Sequence, residues 1–362
     1  MSATWGNKLK ITIFGESHGS CIGATIDGIE PGIKIDMDLI EKEMSRRAPG
    51  RDNLSTQRKE ADKAEIISGF FNGYTTGAPL TVLIHNTDIR SKDYSDIKSI
   101  ARPGHADYSA NKKYNGFNDY RGSGHFSGRI TAPLVFAGAL AKQILKEKYI
   151  YIGSHIKSIG HIEDMKFSEN DMNRYTFARL NEQRIPLINE YLRQDMESLI
   201  LEIKDNGDSL GGVVECAIVG MDAGIGSPFF ESVESVLSSI IFSVPAVKGL
   251  EFGAGFDICK MKGSQANDQF YYDEDSNLKT RTNHNGGING GITNSMPIIF
   301  RVAIKPTSSI AKMQTSINMY KKENIDFKID GRHDPIIVLR VLPVIEAVSA
   351  IAVLDMIYSE NY

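Results

Sequence analysis

The chain is poor in the features that mark whole classes of protein. It has only three cysteines, Cys21, Cys216 and Cys259, far apart and without a CxxC pair. That argues against a disulfide scaffold and reads as reduced core thiols in a cytoplasmic protein. Charge of one sign is not in excess: 41 basic against 45 acidic residues leave a net −4. Such a balance gives no electrostatic footprint for nucleic acid or for a membrane surface. No uninterrupted apolar run approaches ~20 residues, so no membrane span is expected. The opening MSATWGNKLKITIFGESHG lacks the apolar core and small-residue cleavage site of a signal peptide. With 41% apolar and 24% charged residues in 362, the composition is that of a soluble globular protein with ample core.

Familiar site motifs are missing too. GSGHFSG at 122–128 has its third glycine one place late for a dinucleotide fingerprint, and no strand precedes it. There is no GxxxxGK[ST] and no HExxH, and DEDSN at 273–277 lacks the glycine of an EF-hand. Eight histidines without paired spacing make no zinc site, so no metal is expected. Ser17 and His18 are adjacent, and in an extended chain neighbours face apart, so they are not read as a nucleophile and base pair.

What is present concentrates in 102–131, RPGHADYSANKKYNGFNDYRGSGHFSGRIT. Its two histidines, three arginines, two lysines, five aromatics and five glycines suit neither a packed core nor a disordered tail. Cations, rings and permissive backbone together imply a pocket for a planar, anionic ligand. The plainer reading is a surface loop with scattered charges. Stacking of single-stranded nucleic acid is a rival, disfavoured by the overall charge.

In chain order, strands are expected at 9–14, 22–29, 64–71 and 79–85, with a helix at 38–47 stopped before Pro49-Gly50. Arg46, Arg47, Arg51, Arg58 and Lys59 gather at the end of that helix and beyond it, either complementing its dipole or facing an anion. The stretch 86–99 reads as a polar loop or flap. A helix is expected over 131–149, capped by Thr131, with Pro133 in its first turn and small residues on one face for close packing. Strand 150–160, a polar excursion over 163–183 and a helix over 186–201 follow. Next come a strand within 207–220, a glycine-rich loop at 220–228, a helix at 233–242 and a short strand from 250. Residues 262–283 read as a mobile loop and 297–304 as a strand. The chain ends with a strand over 336–342 and a helix over 343–358, with Pro343 in its first turn. The two long helices, each after a loop containing Gly, Arg and His, hint at internal pseudo-symmetry, without a repeat that proves it.

The residues that could carry chemistry are His18, His105, His125, Arg129, Lys305, Ser308, Ser309, Arg332, His333, Asp334 and Arg340. Histidines in glycine-flanked turns can serve as acid or base near neutral pH. KPTSS at 305–309 offers a cation, hydroxyls and backbone N–H groups, a phosphate cradle weak as a motif alone. Together they suggest an enzyme for a phosphorylated, carboxylated substrate, without naming the reaction.

FGESHG at 14–19, SRRAPG at 45–50, TQR at 56–58, NTDIRSKDYS at 86–95 and RPGHADYSANKKY at 102–114 resemble the chorismate synthase family. So do DYRG at 119–122, GSQANDQ at 263–269, NHNGGINGGITNS at 283–295, KPTSS at 305–309 and GRHDP at 331–335. The resemblance spans nearly the whole chain. It implies a single α/β domain, a β-α-β sandwich with long central helices between antiparallel sheets, usually homotetrameric. It implies a lyase of the shikimate pathway that eliminates phosphate from 5-enolpyruvylshikimate 3-phosphate to give chorismate, using reduced FMN. NADPH is implied as a reductant in some members, an external flavin reductase in others. On the same ground His18 is the acid to the leaving phosphate, His105 faces the flavin N1 and C2 carbonyl edge, and Asp334 helps remove the C6 proton. Arg47, Arg129 and Arg340, with Arg46 nearby, hold substrate anions. His125, Phe126, Ser127, Pro245, Ala246 and Gly290 hold FMN, together with Lys305, Pro306, Thr307, Ser308, Ser309 and Arg332. The chain departs from the commoner GGGRSSARET in reading GSGHFSGRIT, so that His125 stands for an arginine, Phe126 for a serine and Ile130 for a glutamate. This implies a flavin contact sensitive to pH. Asn53 also stands where an arginine is often found, against a nicotinamide contact near Arg47.

Overall fold

The computed structural model describes residues 3–50, 54, 60, 62–87, 98–329 and 334–360. The readings of Arg51, Asn53, Arg58, Lys59, Arg332 and His333, and of most of 86–99, lie outside the described residues.

Two five-stranded antiparallel sheets enclose a pair of long helices. The first sheet runs in the order Thr4–Trp5, Lys10–Gly15, Cys21–Asp27, Leu80–His85, Ala64–Ser68. Alternation decides its inner face: Leu80, Val82 and Ile84 are buried, as are Ile22, Ala24 and Ile26 on the neighbouring strand. The second sheet runs Ile162–Glu163, Tyr151–Ile159, Gly212–Val219, Ile298–Ile304, Val247–Phe252. Between the sheets lie helices Thr131–Glu147 and Val338–Glu360, with helix Met37–Arg47 packed on both. A Cβ on Gly138 would stand 2.3 Å from the Cα and Cβ of Ala347, so only glycine permits this helix contact.

The C-terminal helix corrects two expectations. The run 336–342 is not a strand, because the helix already begins at Val338 and Pro343 lies inside it. Its β-branched residues find a helical setting with nearly every side chain buried, and that packing outweighs propensity. The helix is also long and apolar enough to cross a membrane, yet its most apolar stretch is wholly buried in this protein.

Other differences are local. Helix 186–201 begins later, at Arg193–Asp205 after a turn at Glu190–Leu192. The 262–283 segment holds a hairpin, Phe270–Tyr272 with Leu278–Thr280. Thr131 does not cap its helix; Ser127 instead caps a turn at Gly128–Ile130 that leads into it. Cys216 is buried, Cys21 half-buried and Cys259 exposed, so only one of the three is a core thiol.

Asp355 on the C-terminal helix accepts from the backbone N–H of Asn7, Lys8 and Leu9 at 2.8–3.1 Å, which fixes where the first sheet starts. Glu346, fully buried on the same helix, receives Arg46 at 2.7 and 2.9 Å, Lys142 at 2.5 Å and Ser154 at 2.6 Å. Burial alone would raise this carboxyl, but the charges of Arg46 and Lys142 prevail and lower it.

Candidate active site

A cavity of about 920 Å³ opens between the start of the first sheet, the 104–134 segment, the 240–248 turn, the 305–308 loop and the start of the C-terminal helix. Its wall joins the elements on which the sequence reading had concentrated.

One side is a cradle of loops. Gly104, at φ 70°, accepts from Lys305 Nζ at 2.6 Å and from Ser308 Oγ at 3.0 Å. A Cβ there would lie 2.7 Å from Ser308 Oγ, so glycine permits the two loops to touch. The Lys305 backbone N–H donates to Ala246, whose φ of 74° turns the chain beside Pro245. Burial and the nearby charge of Lys248 push the Lys305 ammonium below its ordinary range. His105 Nε2 lies 2.7 Å from Ser309 Oγ. Thr307 Oγ1 is buried without a hydrogen-bond partner, an orphan that a bound polar group would satisfy.

The opposite side is cationic. Arg47, Arg129 and Arg340 all line the cavity. Arg47 donates to Thr131 Oγ1 at 3.2 Å, Asp62 Oδ2 at 2.8 Å and Gly128 O at 2.7 Å. Arg129 donates to Asn86 Oδ1 at 2.7 Å, pairs with Glu60 at 2.6 Å and meets the other oxygen of Asp62. Arg340 pairs with Asp334 at 2.7 Å and donates to the Arg47 carbonyl at 3.2 Å. Burial, only partly countered by Asp62 and reinforced by the charges of Arg340 and Arg129, pushes the Arg47 guanidinium down to about 10.

The 102–131 stretch divides its charges between architecture and pocket. Arg102 is spent on Asp107 at 2.7 and 2.8 Å and Arg121 on Asp119 at 2.9 and 2.8 Å. His105, His125, Phe126, Ser127 and Arg129 reach the cavity wall. His125 Nδ1 lies 2.9 Å from the Gly15 carbonyl; a carbonyl only accepts, so Nδ1 carries a proton. Phe126 meets Tyr114 edge to face at 6.0 Å.

Several expected residues are elsewhere. Arg46 is held by Glu346 and Glu43 in the helix core and does not line the cavity. Gly290 lies in the hairpin Ile288–Asn289/Ile292–Thr293, away from the cavity wall. Ser309 touches His105 from behind the wall. Ser17 and His18 are buried behind the 121–126 segment. Contrary to the sequence expectation, their side chains meet, Ser17 Oγ to His18 Nδ1 at 3.0 Å, because the chain turns there instead of extending. Gly122 packs on the His18 ring, where a Cβ would come within 2.3 Å.

A model of the family described as chorismate synthase matches residues 9–358. The chain belongs to the chorismate synthase family. It is 44% identical to the chorismate synthase of Methanocaldococcus jannaschii over 99% of this chain and 97% of that one. With the chorismate synthase of Pyrococcus abyssi it shares 44% identity over 97% and 96% of the two chains. A chorismate synthase crystal structure superposes with a TM-score of 0.74 at 28% identity, covering 98% of this chain and 93% of that one. The β-α-β sandwich expected from the resemblance is thus the observed fold.

Sequence reading missed Glu60, Asp62, Asn86 and Thr131, the inner partners of the site arginines. The signal was two acids, Glu60 and Asp62, just after the basic Arg58-Lys59 pair. FMN use is typical of the chorismate synthase family, and the cavity suits it. Apolar Ile11, Ile13 and Val244 would flank a flat ring, while Lys305, Ser308 and the unpartnered Thr307 hydroxyl would take a phosphate.

Proposed function

We propose that this cavity is where the reaction of the family takes place. The chain is an enzyme, a phosphate lyase of aromatic amino acid biosynthesis. It converts 5-enolpyruvylshikimate 3-phosphate to chorismate and phosphate by a 1,4-anti elimination that needs reduced FMN. One observation carries the reading: three arginines, two lysines, His105 and Asp334 line a single cavity roomy enough for ring and substrate side by side.

Reduced FMN, when bound, would supply an electron-rich ring to assist phosphate departure from the allylic system, with no net redox change. The protein supplies charge and position. Arg47, Arg129 and Arg340 take the phosphate and carboxylates of the substrate, as paired forks suited to such anions. Asp334, held by Arg340, accepts the C6 proton. His105, steadied by Ser309, would stabilise the reduced flavin ring. His18, the acid to the departing phosphate in this reading, packs against Gly122 and lies off the cavity wall. His125, Phe126, Ser127, Pro245, Ala246, Lys305, Pro306, Thr307 and Ser308 would hold FMN, with Arg332 completing the set.

The same reading makes the chain one domain of two pseudo-symmetric halves and the enzyme a cytoplasmic homotetramer, without a nucleic-acid or membrane partner. Its flavin is reduced by NADPH at this site or by a separate reductase. Anaerobic incubation of the substrate with the protein and dithionite-reduced FMN tests the function. Chorismate absorbance and inorganic phosphate should rise together. Absence of both, with flavin binding confirmed, would reduce the family likeness to fold alone.

A further inference from the structure

Asp62 is placed unlike any other acid near the cavity. Its side chain is wholly buried, and its backbone adopts φ 47°, a left-handed conformation unusual for a non-glycine residue. The two carboxylate oxygens go to different arginines: Oδ2 to Arg47 and Oδ1 to Arg129. Both arginines are buried in the cavity wall. Burial would raise the Asp62 carboxyl, but the charges of Arg47 and Arg129 outweigh it and hold it below its ordinary range. Asp62 is therefore a fixed anion between two cations that would otherwise repel each other.

Each guanidinium is anchored on further sides. Arg47 is held by Thr131 and the Gly128 carbonyl, Arg129 by Asn86 and Glu60. These neutral partners and Glu60 fix one arginine each. Asp62 alone, among the described residues, fixes both, and so sets the separation between them. Three of the five N–H groups of Arg47 are engaged in the bonds described, which leaves its outer edge for a ligand.

We propose that Asp62 is a positioning residue for substrate binding: it spaces Arg47 and Arg129 to match the anionic groups of the substrate, without touching the substrate itself. The proposal rests on the functional reading above. A fixed pair of forks favours a ligand whose oxygens match its spacing. With the carboxylate removed, the guanidinium groups lose their register and gain N–H groups that any small anion can occupy.

The test compares Asp62→Asn and Asp62→Glu with the unaltered enzyme under anaerobic, reduced-FMN conditions. It measures kcat, KM for 5-enolpyruvylshikimate 3-phosphate, inhibition by inorganic phosphate and the affinity for reduced FMN. In Asp62→Asn, KM should rise by about tenfold and phosphate should inhibit at lower concentration. The affinity for reduced FMN should stay unchanged. Asp62→Glu, which keeps the charge, should restore phosphate tolerance towards the original value. Unchanged KM and phosphate inhibition in Asp62→Asn would overturn the proposal. So would its failure to fold, which would make Asp62 a structural residue only. Inactivity of the unaltered enzyme would instead count against the functional reading.

Discussion

At the scale of single residues, conformation at one glycine governs access to His18. Gly122 sits at φ 54° with the His18 ring against it. Gly122→Ala would add a Cβ where the ring now lies, so turnover should fall by at least about tenfold, and the buried clash at a left-handed backbone position should lower the thermal midpoint as well. Steady-state kinetics with a melting curve checks this. A second residue, His155, lies far from the pocket, buried between Asp164 at 3.2 Å and Glu215 at 3.0 Å. Burial lowers its pKa, but the bonds to Asp164 and Glu215 prevail and raise it above the ordinary 6.5. Its stabilising contribution is therefore complete below pH 6.5 and is lost as pH rises through the raised folded value. Asp164 and Glu215 are held low, so theirs is present above the ordinary carboxylate range and lost as pH falls. Unfolding by urea at several pH values should show stability declining above pH 6.5, and His155→Gln should flatten that decline.

At the scale of elements, strand and helix positions were readable wherever pattern and burial agree. Leu80–His85 alternates, and it is a strand of the first sheet. The exception, 336–342, was misread because Val and Ile favour strands only where a sheet is available to pack them. Here the nearest structure is a helical core, and Pro343 is tolerated in its second turn. The close approach of the two central helices was legible from small residues on the 131–149 face. Gly138→Val should clash with Ala347 and destabilise the fold by about 1–3 kcal/mol, read as a lower urea midpoint. The site was legible as residue types and much less as partnerships. His105, Arg129, Lys305 and Asp334 stand in polar, glycine-rich loops that advertise them. Arg46 and Arg47 are adjacent and look alike in sequence, yet one turns to Glu346 in the core and the other to the cavity. Helical geometry separates neighbours by about 100°, and only the packing says which face is which.

At the scale of the whole molecule, the helix layer holds both the core and the chemistry. Arg46 and Lys142 converge on the buried Glu346, and Glu43 pairs with both of them. Glu346→Gln would leave two buried cations with one carboxylate between them, and should cost about 3–5 kcal/mol in unfolding free energy. The same helix reaches the cavity with Arg340 at its start and ties down the first sheet with Asp355 near its end. The central claim is that one cavity holds substrate and flavin in contact. Its most direct test is to titrate 5-enolpyruvylshikimate 3-phosphate into the protein with oxidised FMN bound and follow the visible flavin spectrum. Shared occupancy predicts a saturable spectral change that needs about tenfold more substrate in Arg129→Lys, where the fork is lost. A spectrum indifferent to substrate, with substrate binding shown independently by calorimetry, would place the two ligands apart and contradict the account.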